Sequence, residues 1–141
     1  MTFGAAVATC FGKYASFKGR ARRSEFWFFL LFVVLLELAA WVLDQVFGLQ
    51  RDWGEGAVTF PGVSTDFTAG AGWIGLVVSV LIFLPAISVS VRRLHDTDHS
   101  GWWWWLNLLN VFCALGAIIL ILAFYIRPGS AGQNRFGPPP N

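Results

Sequence analysis

The chain has 141 residues, of which 56% are hydrophobic and 13% charged, against about 25% charged in an ordinary soluble domain. That balance excludes a disordered tail, which needs low hydrophobicity and high charge, and argues against a water-soluble globule. A net charge of +2 is too small to suggest nucleic-acid binding, and two cysteines, Cys10 and Cys113, cannot build a disulfide framework.

In chain order, residues 1–25 form a basic segment carrying Lys13, Lys18, Arg20, Arg22 and Arg23. Within it, the moderately apolar residues 3–17 are too short to span and predict an interfacial helix, with Lys13 and Lys18 toward headgroups. Residues 26–47 are the first long apolar run. Ser24 is placed to cap that helix, and Glu25 suits its positive end. The run is longer than a signal-peptide core and lacks a small-residue cleavage site, so it is expected to stay as a helix. Residues 48–72, rich in Gly, Thr and Ser around Pro61, read as an external loop.

The second run is 73–91. Pro85 has no N–H for the Leu81 carbonyl, which predicts a kink, with Ser88 or Ser90 available to satisfy freed carbonyls. A short basic loop, 92–101, leads to the third run, 102–126, which opens on four tryptophans suited to a membrane boundary. The tail, 127–141, is rich in Pro and Gly and reads as irregular. About 20 apolar residues at 1.5 Å each cross the roughly 30 Å hydrocarbon layer. The expected fold is therefore an all-α membrane protein of one domain: three transmembrane helices with a short N-terminal interfacial helix. With three crossings, the N-terminus and the second loop share seven basic residues, and the first loop and the tail share three. The positive-inside rule then puts the N-terminus in the cytoplasm and the tail outside.

Three groups of residues carry local chemistry. Arg20, Arg22 and Arg23 lie just before the first run, and Arg92, Arg93, His95 and Asp96 follow the second. If they converge, they form a basic face for anionic headgroups or a partner protein, since Arg grips phosphate with two donors; the plain alternative is a topology anchor and a capped turn with arginines paired to carboxylates. Asp96 beside His95 has the alternative role of fixing an imidazole tautomer. His95 and His99 have helical metal-ligand spacing, but the Gly and Ser nearby favour a turn, and no metal is assigned. Glu37 lies mid-run, where an acid is costly and faces the bundle interior. Depth counting puts Glu37, Ser79 and Asn110 in one polar layer, read as a hydrogen-bonded clasp or as a proton or cation relay. Asn107, Asn110, Ala114 and Ala117 share the small, polar kind of face that packs between helices.

Taken together, Gly19-Arg20-Ala21-Arg22-Arg23-Ser24-Glu25-Phe26-Trp27, then Arg92-Arg93-Leu94-His95-Asp96-Thr97 with Ser100-Gly101-Trp102-Trp103, then Asn134-Arg135-Phe136-Gly137-Pro138, resemble the bacterial inner-membrane proteins grouped as domain of unknown function 805. The resemblance covers nearly the whole chain. It departs from the family pattern at Gln133, Pro139 and His99. It implies a small multi-pass protein of the bacterial inner membrane and no established reaction, substrate or cofactor. It also raises a conflict: three alternating spans put Asn134 and Arg135 opposite both arginine motifs, so a single site built from all three motifs requires one run to re-enter. The functional expectation is a non-enzymatic membrane protein whose partners are lipids, a second copy or another membrane protein. An oligomeric transporter or channel using Glu37 is the alternative. Enzymatic acid–base work by His95 and Asp96 is the weakest, because no catalytic motif positions a nucleophile.

Overall fold

The computed structural model describes residues 1–49, 72–111 and 115–140, giving the backbone path alone for 108–111 and 115. Every regular element among them is helical: α1 Phe3–Gly12, α2 Arg23–Phe47, α3 Trp73–Asp96, a 3₁₀ stretch Gly101–Val111, α4 Leu115–Leu120 and a π-helical turn Ile121–Tyr125. Two of these, α2 and α3, are long and apolar enough to cross a bilayer. Most of the expected external loop lies outside the described residues.

α2 and α3 pack antiparallel, and each end of the pair is tied by a charge. At one end Asp44, fully buried, accepts from the backbone N–H of Gly72, Ile74 and Gly75 at 3.1, 3.0 and 2.9 Å. A carboxylate from the last turn of α2 thus satisfies donors that the start of α3 would otherwise leave orphaned. Gly48 closes α2 in the left-handed conformation (φ 63°) that glycine adopts without steric cost. At the other end Arg92 of α3 meets Glu25 of α2 at 2.5 Å. Ser24 does not cap α2: the helix begins at Arg23, and Arg22 occupies the cap position with no side-chain capping bond.

α1 lies against the opening turns of α2, with Phe3 edge-on to Phe28 and Phe11 edge-on to Phe29 and Phe32. Lys13 and Lys18 are exposed beyond it, and the helix ends at Gly12, short of the expected residue 17. The chain after α1 then does what Ser88 and Ser90 were expected to do. The Tyr14 hydroxyl donates to the Leu81 carbonyl that Pro85 frees, while Ser88 Oγ donates to the Lys13 and Ser16 carbonyls at 3.0 and 2.7 Å and Ser90 Oγ to Ala86 at 2.7 Å. A carbonyl in hydrocarbon has no water to fall back on. Tyr14→Phe is therefore expected to destabilise the protein by about 1–3 kcal/mol, read as a lower midpoint of thermal unfolding in detergent; an unchanged midpoint would show that the bond contributes nothing.

Among the described residues the third run holds no third membrane-length helix. Its two described limbs, Gly101–Val111 and Leu115–Tyr125, form a hairpin whose feet touch: His99 and Trp103 pack on Phe124, with ring centroids 4.6 and 5.4 Å away. Eleven 3₁₀ residues at about 2.0 Å and eleven returning residues at about 1.5 Å reach roughly 22 and 17 Å, short of the roughly 30 Å layer. The tail consequently returns to the end of the molecule that holds the N-terminal arginines, the opposite of the three-crossing expectation. Trp102, Trp103 and Trp105 point outward at one foot, and Trp104 packs inward.

Hydrophobicity is turned inside out relative to a soluble protein. Leu35, Val46, Val77, Val80 and Leu122 are 50–72% exposed, whereas Arg92, Arg93 and Asp44 are fully buried. An apolar belt of this extent in water would be an aggregation surface; facing lipid it costs nothing.

Candidate functional site

All three sequence motifs converge where α2 begins, α3 ends and the tail returns. Asp96 is the hub. Its Oδ1 accepts from Arg20 Nε at 2.9 Å, and its Oδ2 accepts from Arg93. Arg20 spends its remaining donors on the tail carbonyls of Ser130 and Gly132, at 2.5 and 2.7 Å, and Arg93 on those of Tyr125 and Arg127. Such forked, charge-assisted bonding is what guanidinium geometry suits. Gly129 passes so close to Asp96 that any Cβ there would overlap the carboxylate. Ser130 closes the contact with its N–H and Oγ on the Asp96 carbonyl, at 2.9 and 3.1 Å.

Arg92 does not join this hub. Successive helix residues diverge by about 100°, so Arg92 turns instead to Glu25, and Cys10 Sγ approaches the same Glu25 oxygen at 3.8 Å. Burial, with the Glu25 charge adding to it, pushes the Cys10 thiol up to about 12, so it is a packing group and not a nucleophile.

His95 and Asp96 are neighbours without being partners. His95 Nδ1 lies 3.2 Å from the Gly19 carbonyl, which only an Nδ1–H can bond, and its ring stacks on Phe136 at 3.9 Å and 6°. His99 Nδ1 goes elsewhere, to the Thr97 carbonyl at 2.6 Å. Asn134 donates to the His95 carbonyl and to Ser130 Oγ, both at 2.9 Å, and its own side-chain oxygen accepts the Phe136 N–H at 3.0 Å. Arg135 reaches Asp98 at the surface, 3.3 Å away. Thr97 turns its hydroxyl back on Leu94, and the Ser100 hydroxyl accepts a long contact from the Trp102 N–H, 3.4 Å.

The remaining arginines are different. Arg22 and Arg23 have no carboxylate partner among the described residues; their bonds are to the carbonyls of Pro140 and Ile126, at 3.1 and 3.5 Å. With Ser24 and the backbone of 129–131 they line an open cleft of about 460 Å³, whose floor holds Arg20 and Asp96. Mid-span, Ser79 Oγ donates to Glu37 at 2.8 Å; the side chain of Asn110, the third member of the expected layer, lies outside the described residues, as does that of Ala114.

The family model described as "Protein of unknown function (DUF805)" matches residues 14–138. The chain belongs to the DUF805 family. Escherichia coli K12 inner membrane protein YhaH is 39% identical over 127 residues, 90% of this chain and 88% of the relative. Inner membrane protein YhaI of the same organism is 29% identical over 127 residues, covering 90% and 87%. No solved structure is a significant match. The DUF805 match begins at Tyr14 and ends at Pro138, and so includes the Tyr14 bond and the whole Asn134–Gly137 turn.

Sequence reasoning missed four members of the latch: Glu25, read only as a helix-end charge, Gly129, Ser130 and Phe136. The Pro-Gly-Ser run at 128–130 is a turn signal, but a turn signal does not say what the turn touches.

Proposed function

We propose that this chain is a bacterial inner-membrane protein that crosses the bilayer twice, with a re-entrant hairpin, and binds anionic lipid headgroups at a cytoplasmic arginine rim. Two crossings leave nine of the ten Lys and Arg residues on the side of both termini and only Arg51 in the loop between α2 and α3. That asymmetry supports a cytoplasmic N-terminus and tail far better than the seven-to-three split of three crossings.

The observation that carries the headgroup reading is the division of labour among the arginines. Arg20, Arg92 and Arg93 are buried and paired, whereas Arg22 and Arg23 border an open cleft and have no carboxylate partner among the described residues. The exposed Arg127 stands near the same rim. His95 and Asp96 serve this rim by holding the tail in place. The Glu37 transporter reading draws on the Ser79 bond, which a helix clasp explains as well.

Each arginine near an anionic surface contributes about 1 kcal/mol. Native mass spectrometry of protein extracted from mixed bilayers is expected to show phosphatidylglycerol retained over phosphatidylethanolamine. Arg22→Gln with Arg23→Gln should lower that preference by about tenfold or more. Equal retention by wild type and variant would overturn the rim.

A further inference from the structure

Below the rim the structure holds a second cavity, apolar, of about 100 Å³, between α2, α3 and the returning limb of the hairpin. Phe29 and Val33 of α2, Ala86 and Val89 of α3, and Leu120 and Tyr125 of the hairpin line it. It and the cleft lie on one face of α2. Arg22 and Arg23, then Phe26, then Phe29 and Leu30, then Val33 follow the three- and four-residue steps that place side chains in a column. The same descent holds on the other wall, from 129–131 in the cleft to Tyr125 and then Leu120 in the slot.

We propose that the cleft and the slot are two halves of one site for an anionic glycerophospholipid, with the phosphodiester on Arg22 and Arg23 and one acyl chain seated between α2, α3 and the hairpin. The inference rests on the rim reading and adds the acyl chain to it.

The chemistry of the two compartments is matched to such a molecule. The cleft is ringed by three arginines against the single Asp96 carboxylate, which Arg93 shares from below. It therefore keeps a positive excess for a phosphate. The slot is walled mainly by carbon; of the polar side chains on its lining, Ser90 and Asn107 already bond backbone carbonyls of Ala86 and Trp104 at 2.7 and 2.8 Å, and the Tyr125 hydroxyl is engaged with Ser90. Water has little to hold it there, whereas a void forfeits dispersion contacts along its walls. An apolar cavity of about 150 Å³ accommodates benzene, so about 100 Å³ takes several methylenes. Arg93, fully buried, ties the two walls together, since it pairs with Asp96 of the cleft and donates to the carbonyl of Tyr125 of the slot. A second protein is a poorer occupant, because the slot is too narrow for a helix.

A chain that leaves the bilayer for a protein slot gains no hydrophobic free energy, since both surroundings are apolar. Affinity comes from the rim, and the slot decides where the chain lies. The test therefore maps position. Wild-type protein in bilayers doped with phosphatidylglycerol carrying a photoactivatable diazirine mid-chain is expected to cross-link mainly in the peptides holding Ala86–Ser90 and Leu120–Tyr125. The yield there should fall about tenfold in Arg22→Gln with Arg23→Gln. Ala86→Phe, which fills the slot, should abolish those cross-links while leaving phosphatidylglycerol retention selective. Cross-links confined to outward residues such as Leu31 and Leu35 would overturn the seated chain and leave the rim standing. Slot cross-links equal from phosphatidylethanolamine and indifferent to the arginines would overturn the rim, and with it the joint site. Should Ala86→Phe fail to fold, the wild-type map still decides.

Discussion

Replacing Asp96 by alanine is expected to be the most damaging single change in the protein. The carboxylate is the counter-charge of two guanidinium groups, Arg20 and Arg93, which are 5% and 0% exposed. Removing one partner of a buried pair costs about 3–5 kcal/mol, because the other charge stays buried and uncompensated; here two charges are left. That is a large fraction of the 5–15 kcal/mol by which a domain is stable. The tail should suffer first. Ser130 and Gly132 are held by Arg20, and Arg20 is oriented by Asp96. Asp96→Ala is expected to expose residues after 127 to protease in detergent before α2 and α3 separate, and to lower the global unfolding midpoint. Asp96→Asn, which keeps the shape and one acceptor, should fall between. A variant with wild-type midpoint and an intact tail would show that the hub carries no stability.

The hub also shows which parts of this molecule were legible before the structure. The first two runs were legible because length and unbroken apolarity report a preference for lipid directly; α2 and α3 cover those runs, and α3 carries on through Asp96 into what was expected as the basic loop 92–101. The third run has the same composition and a different path. Composition reports the solvent a segment prefers and is silent on whether the segment crosses it or turns back. The available signal was charge: Arg127 and Arg135 sat on the wrong side of a three-crossing arrangement. The basic cluster was legible as a cluster, but its pairings were not. Arg92 and Arg93 are adjacent in sequence and serve different carboxylates on different elements, because a helix turns them apart. Tyr14 was invisible for the opposite reason: the freed Leu81 carbonyl was predicted, and its donor came from 67 residues away, across a tertiary contact no local pattern encodes. The half of the polar layer formed by Glu37 and Ser79 was legible from depth alone, since two antiparallel helices of similar length must match depths.

Glu25 and Arg92 offer the second large effect, and one that separates charge pairing from packing. The Arg92 side chain is fully buried, its one carboxylate partner among the described residues is Glu25, and its Nε and Nη2 have no hydrogen-bond partner among them. Glu25→Met should therefore strand a cation and cost about 3–5 kcal/mol. Arg92→Met should strand an anion at similar cost. The two together replace a buried pair by apolar groups of similar volume, which is often neutral or stabilising. The double variant is thus expected to unfold well above either single one, with a coupling of about 3 kcal/mol in the double-mutant cycle; additivity within about 0.5 kcal/mol would mean the pair does not interact. Cys10 supplies an independent readout. The Glu25 charge raises its pKa and the Arg92 charge lowers it. In a Cys113→Ser background, maleimide labelling of folded protein at neutral pH should be slow in wild type, faster in Glu25→Met, where Arg92 alone faces the thiol, and slower still in Arg92→Met. A pure packing role for Glu25 would accelerate labelling in both single variants alike, through loosening, and that symmetric result would remove electrostatic pairing as the reason these two residues are buried together.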